Sequence, residues 1–112
     1  MTVARLLDKL SRLIVAACDP DKIVLFGSHA KGQATLDSDI DLLVVGDFGD
    51  SRYLRDRELR QLMWQSPVRV DLHTATPTEI EEQQTQTASF LSSVMRSGRT
   101  LYSRDRPDML NS

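Results

Sequence analysis

The chain has little that would staple it, anchor it or export it. It holds one cysteine, Cys18, so no internal disulfide can form, and a reducing compartment is the simple expectation. No apolar run approaches the length needed to cross a membrane. Met1-Thr2-Val3-Ala4-Arg5 opens an amphipathic pattern rather than a signal peptide, so a cytoplasmic protein is expected. Basic charge is not in excess either: the formal net charge is −2, which argues against a general nucleic-acid-binding surface. There is no internal repeat and no low-complexity linker. What remains is 112 residues of ordinary globular composition. That is one domain with a single core, burying about two thirds of the surface its unfolded chain exposes.

Apolar periodicity places the elements. Val3, Leu6, Leu7, Leu10, Leu13, Ile14 and Ala17 fall on one helical stripe, with Thr2 as a cap and Asp19-Pro20-Asp21 as a stop. Ile23-Val24-Leu25-Phe26 reads as a buried strand, turned by Gly27 and Ser28. A short helical turn over 29–31 is expected to stop at Gly32. Ile40 to Val45 is a second apolar strand. Ser51 can cap a helix that carries Leu54, Leu59, Leu62 and Met63 inward, with Arg52, Arg55, Arg57 and Arg60 mostly outward. Val68, Val70 and Leu72 alternate with Arg69 and Asp71, the period of a half-buried strand. Thr76-Pro77-Thr78-Glu79 is a capping box opening a helix expected to run to about Ser97, where Gly98 stops it. Thr100-Leu101-Tyr102 is a candidate edge strand. The expected domain covers 1–102, with 103–112 as a polar tail. Helix, strand, strand, helix, strand, helix reads as a sheet covered by helices, an α/β or α+β sandwich.

Two short patterns carry chemistry. Gly27 and Ser28 directly follow a buried strand; glycine lets backbone approach a phosphate, and consecutive N–H groups form an anion-binding concavity. Asp39 and Asp41 are two apart, so on a strand they share a face while Ile40 points the other way. Adjacent carboxylates repel unless a cation intervenes, and magnesium is commonly held by carboxylates together with substrate phosphates. The plainer alternatives are a strand-to-helix turn and two solvated aspartates at a strand start. Asp71, on a later strand, completes a three-carboxylate cluster if the two strands are neighbours; otherwise it is a strand-end residue or an ion-pair partner of Arg69. Three carboxylates can hold two metals about 3.5–4 Å apart for in-line phosphoryl or nucleotidyl transfer.

Competing motifs fail on spacing. Gly27 and Gly32 have the glycine spacing of a P-loop, but Gln33-Ala34 stands where Lys and Ser/Thr are required. Asp37, Asp39 and Asp41 start like a calcium loop, yet Leu42 and Phe48 occupy its glycine and glutamate positions. Gly27-Ser28-His29 is not a nucleophile elbow. His29 and His73 lack metal-site spacing.

The stretch from Val24 to Val45, a Gly-Ser turn followed by an Asp-x-Asp strand, resembles the signature of the polymerase-β-like nucleotidyltransferase superfamily. The chain's small size is similar to that of its minimal, single-domain (MNT-type) members. Asp71 matches the third acidic position. The resemblance implies that Gly27, Ser28 and Lys31 hold the triphosphate, and that Asp39, Asp41 and Asp71 bind two magnesium ions. It further implies that Asp71 helps deprotonate the attacking hydroxyl while pyrophosphate leaves. Minimal members often carry arginine where this chain has His29 and Lys31, which removes a bidentate phosphate fork.

With no room for a second domain, the acceptor must come from another chain or be a small molecule at a subunit interface. The resemblance implies an antitoxin that transfers AMP from ATP onto a hydroxyl of a HEPN-type toxin. Two alternatives stay open: an antitoxin acting by contact alone, and a small-molecule, aminoglycoside-type nucleotidyltransferase using Glu79, Glu81 and Glu82. The base preference is not legible.

Overall fold

The computed structural model describes residues 2–35, 37–49, 52–84 and 89–106. Helix α1 spans Val3–Cys18, its start capped by the Thr2 hydroxyl, which accepts from the Arg5 N–H. It ends as Asp19 turns into the left-handed region (φ 46°) and its N–H bonds the Val15 carbonyl. Strand β1 is Lys22–Phe26 and β2 is Ile40–Val45. Helix α2 covers Arg52–Met63, and β3 covers Val70–Ala75. Helices α3 (Pro77–Gln83) and α4 (Phe90–Ser97) lead into β4 (Arg99–Ser103). Among the described residues these strands form one mixed sheet in the order β3-β2-β1-β4. β1 is antiparallel to both neighbours, while β2 and β3 run parallel. A parallel pair needs a crossover, and α2 supplies it.

The alternation of side chains splits the core in two. Ile23, Leu25, Ile40, Leu42, Val44 and Leu72 face α1 and α2, where they meet Leu6, Leu10, Ile14, Leu59 and Met63. Val24, Leu43, Val45 and Ala75 face the other way, under Ile80, Leu91 and Val94 of α3 and α4. The polar members of this second face, Asp41, Asp71 and His73, lie where the helical cover stops.

Several expectations need correction. Leu54 is 58% exposed, because α2 is rotated so that Leu59 and Met63 face the sheet. Two arginines expected outside are half-buried: Arg52 donates to Glu79 (2.5 Å) and the Thr74 carbonyl, and Arg55 donates to the Ala17 carbonyl (2.7 Å). The short turn expected over 29–31 is present as a single turn, closed by the Lys31 N–H on the Gly27 carbonyl. The helix expected from 77 to 97 is two: α3 ends at Gln83, and Ser89 takes extended geometry to cap α4. The Gln83 carbonyl accepts from the hydroxyls of Ser89 and Ser92, so serine capping competes with helix continuation there. Gly98 does end α4, but with an ordinary φ of −77°. Its glycine is needed for space, since a Cβ would come within 2.5 Å of Val24 Cγ1 and 2.6 Å of the Val94 carbonyl oxygen.

β4 runs one residue beyond the expected domain end, and Arg104 then pairs with Asp21 (3.1 Å) and with Asp19 (3.5 Å). The rest of the expected tail, from 107 onward, lies outside the described residues, as does the proposed cap Ser51.

Candidate active site

Parallel pairing of β2 with β3 sets Asp41 directly opposite Asp71, and β1 sets Phe26 opposite Asp41 from the other side. One row across the sheet therefore reads Phe26, Asp41, Asp71, with neighbouring strands about 4.8 Å apart. Asp39 precedes the row by two residues, just outside β2. Burial pushes the Asp41 carboxyl above its ordinary range, and the charges of Asp71 and Asp39 push it further; His73 and His29 offset this only in part. The two acidic strands are neighbours, which is the condition on which a three-carboxylate cluster depended, and the Asp41 carboxyl feels both Asp71 and Asp39.

The glycine turn is built against that carboxylate. Gly27 has φ +75°, and a Cβ there would lie 2.2 Å from Asp41 Oδ2. Glycine is thus demanded twice, by backbone conformation and by Asp41 itself. Ser28 is half-buried, and its carbonyl accepts from the Gln33 N–H (3.0 Å). Lys31 is exposed. His29, which stands where minimal members often carry arginine, is half-buried and ties the turn to the segment that leads into the acidic strand: its Nε2 lies 3.1 Å from the Ser38 carbonyl and must carry the proton to donate there.

His73 was also missed. It lies two residues beyond Asp71 on the same face of β3, and its Nε2 stands 3.4 Å from Asp71 Oδ2. Its ring packs against Phe26 (5.6 Å between centroids) and Phe90 (5.1 Å), and these two pack edge-on at 5.4 Å. The period of two from Asp71 to His73 was the available signal. Arg69, the ion-pair partner in the alternative reading of Asp71, approaches Asp39 (3.8 Å).

The donor chemistry fits a divalent cation: oxygen ligands, accumulated negative charge, and an Asp41 that makes no ion pair among the described residues. The three carboxylates do not close into a finished cage, since Asp39 leans to Arg69 and Asp71 to His73. Among the described residues no group of three or more His, Cys, Asp or Glu side chains is gathered tightly enough to hold a metal as it stands. Among those residues, too, no helix is long and apolar enough to cross a membrane.

A profile described as nucleotidyltransferase domain matches residues 3–99, which takes in the Gly27 turn, Asp39, Asp41 and Asp71. The chain belongs to the nucleotidyltransferase domain family. This nucleotidyltransferase domain is 37% identical over 81 residues to a candidate protein adenylyltransferase of Methanocaldococcus jannaschii, a match covering 72% of this chain and 77% of that protein. Its fold is similar to the crystal structure of a candidate nucleotidyltransferase from Sulfolobus solfataricus, with a TM-score of 0.63 and 16% identity over 92% of this chain and 82% of the other. It is also similar to a chain of a toxin–antitoxin structure with AMP-PNP, with a TM-score of 0.52 and 22% identity over 92% and 79%. The two structural likenesses speak for the fold; the nucleotidyltransferase assignment rests on the profile and the M. jannaschii relative.

Proposed function

We propose that this nucleotidyltransferase transfers AMP from ATP onto a hydroxyl group of a partner protein in the cytoplasm, releasing pyrophosphate, and that the partner is a HEPN-type toxin silenced by the transfer. The observation that carries the reading is the Asp41–Asp71 pair held in register against the Gly27 turn. The name of the M. jannaschii relative and the toxin–antitoxin context of the structural neighbour support it.

In this reading the backbone of Gly27 and Ser28, with the Lys31 ammonium, holds the triphosphate. Asp39, Asp41 and Asp71 would hold magnesium, two ions at full occupancy, which when bound supplies charge neutralisation for phosphoryl chemistry. The acceptor oxygen forms a bond to the α-phosphorus as the α–β bridging P–O bond breaks, and pyrophosphate leaves with that electron pair. The acceptor proton passes to an Asp71 carboxylate oxygen. His73 packs beside that carboxylate and limits its rotamers. His29 keeps the turn and the acidic strand at fixed spacing.

The test is to incubate the chain with labelled ATP, magnesium and the protein encoded by the adjacent reading frame. Label is expected on that protein with wild type, falling about a hundredfold or more with Asp39→Ala or Asp41→Ala. No label with wild type would sink the reading.

A second reading, neutralisation by contact alone, is favoured by the engagement of Asp39 with Arg69 and of Asp71 with His73. An Asp39→Ala/Asp41→Ala double variant that still neutralises the partner would support it. The small-molecule reading loses ground because Glu79 is spent on the Thr76 cap and on Arg52.

A further inference from the structure

The solvent side of α2 carries an unusual stripe. Tyr53, Arg57, Arg60 and Trp64 are spaced by four, three and four residues, so they fall on one helical face. Tyr53 and Trp64 are each 78% exposed, although Trp64 is the chain's one tryptophan and Tyr53 one of its two tyrosines. Leu59 and Met63 already anchor this helix to the sheet, so the fold makes no use of the outer stripe. The stripe lines a shallow groove in which Asp56 is the one acid against Arg57 and Arg60. Neither arginine has an ion-pair partner among the described residues. A second groove continues past Trp64 to Arg69, whose guanidinium lies 3.8 Å from Asp39. The surface thus leads from the helix to the edge of the carboxylate site.

We propose that this stripe docks the acceptor protein, through a partner surface acidic at its centre and apolar at its flanks. The inference rests on the reading of the protein as an enzyme with a protein acceptor, and it names where that acceptor sits. Trp, Tyr and Arg are the residue types that dominate interface energetics, and the partner's acids would pair with Arg57 and Arg60 between the two aromatic anchors. Single-stranded nucleic acid also stacks on aromatic rings and arginine. It is disfavoured by a formal net charge of −2 and by a stripe with only two arginines, too few to track a phosphate backbone.

The experiment measures binding of the full chain to the protein encoded by the adjacent reading frame, by calorimetry without ATP. Trp64→Ala and Tyr53→Ala are each expected to weaken binding about tenfold or more, and Arg57→Glu/Arg60→Glu to abolish it at micromolar concentration. Circular dichroism and melting should be unchanged, because these side chains are exposed. When the partner is titrated, Trp64→Ala should raise the acceptor KM and leave kcat, the rate at saturation, intact. Asp41→Asn should bind like wild type and transfer nothing, and a wild-type complex that forms without transfer counts against the catalytic reading alone. The docking inference is overturned if wild type forms no complex, if the stripe variants bind normally, or if Trp64→Ala lowers kcat instead of raising KM. It is likewise overturned if Trp64→Ala dissociates a dimer of the chain alone, or if the stripe proves to bind a single-stranded oligouridylate probe.

Discussion

Asp41 stores repulsion that the protein does not need for folding. Burial, Asp71 and Asp39 all favour its neutral form, so the folded state binds its proton more tightly than the unfolded state does. The stability associated with that proton is present below the ordinary carboxyl value of 3.8 and is lost as pH rises through the higher folded value. Asp41→Asn should therefore melt higher than wild type at pH 7 in EDTA, with the gap closing at acid pH, while transfer activity is lost. A melting series on both proteins checks this, and equal melting temperatures at pH 7 would contradict it. The candidate site was partly legible at this scale. Gly27, Asp39 and Asp41 stand out because their types and spacing are local. His73 and Phe90 did not, because their meeting depends on where α4 lies over the sheet.

Among the elements, the start of α3 shows local coding at its clearest. Thr76 and Glu79 form a complete capping box, and Glu79 also receives Arg52 from α2. Burial would raise the Glu79 carboxyl, but the Thr76 N–H and the Arg52 guanidinium outweigh it and hold it below its ordinary range. The stability this contributes is present above the ordinary value of 4.5 and is lost as pH falls through the depressed folded value. Thr76→Ala should cost about 1 kcal/mol in urea unfolding at pH 7. Glu79→Gln should be less stable than wild type at pH 7, with the difference shrinking in acid. The capping box was readable because its partners lie three residues apart. The break between α3 and α4 was not, since the Gln83 carbonyl is claimed by the Ser89 and Ser92 hydroxyls, six and nine residues on. Helical periodicity alone carried the expectation straight through it.

For the whole molecule, the sheet divides its support unequally. The α1/α2 side holds the larger core, and Ile14 is fully buried at its centre. Ile14→Ala should destabilise the protein by about 2–5 kcal/mol, through lost transfer energy and the cavity left behind. A loss under about 1 kcal/mol in denaturant unfolding would mean that this face repacks freely. The carboxylate end lies on the thinner side, where α3 and α4 cover Val24, Leu43 and Ala75 but leave Asp41 and Asp71 half-buried.

The sequence by itself determined the strands β1 and β2, the ends of α1, the capping box and the Gly27–Asp41 pattern, because each is written within a few residues by period, cap chemistry or glycine. Only the tertiary structure decided that Asp71 faces Asp41. That pairing depends on the parallel register of strands separated by the α2 crossover, and nothing in either segment specifies the other. The same holds for His29 on Ser38, for Arg52 on Glu79, and for the side of α2 left bare. The contacts join separated segments and the bare side is what they leave over, both set by how the layers pack on one sheet.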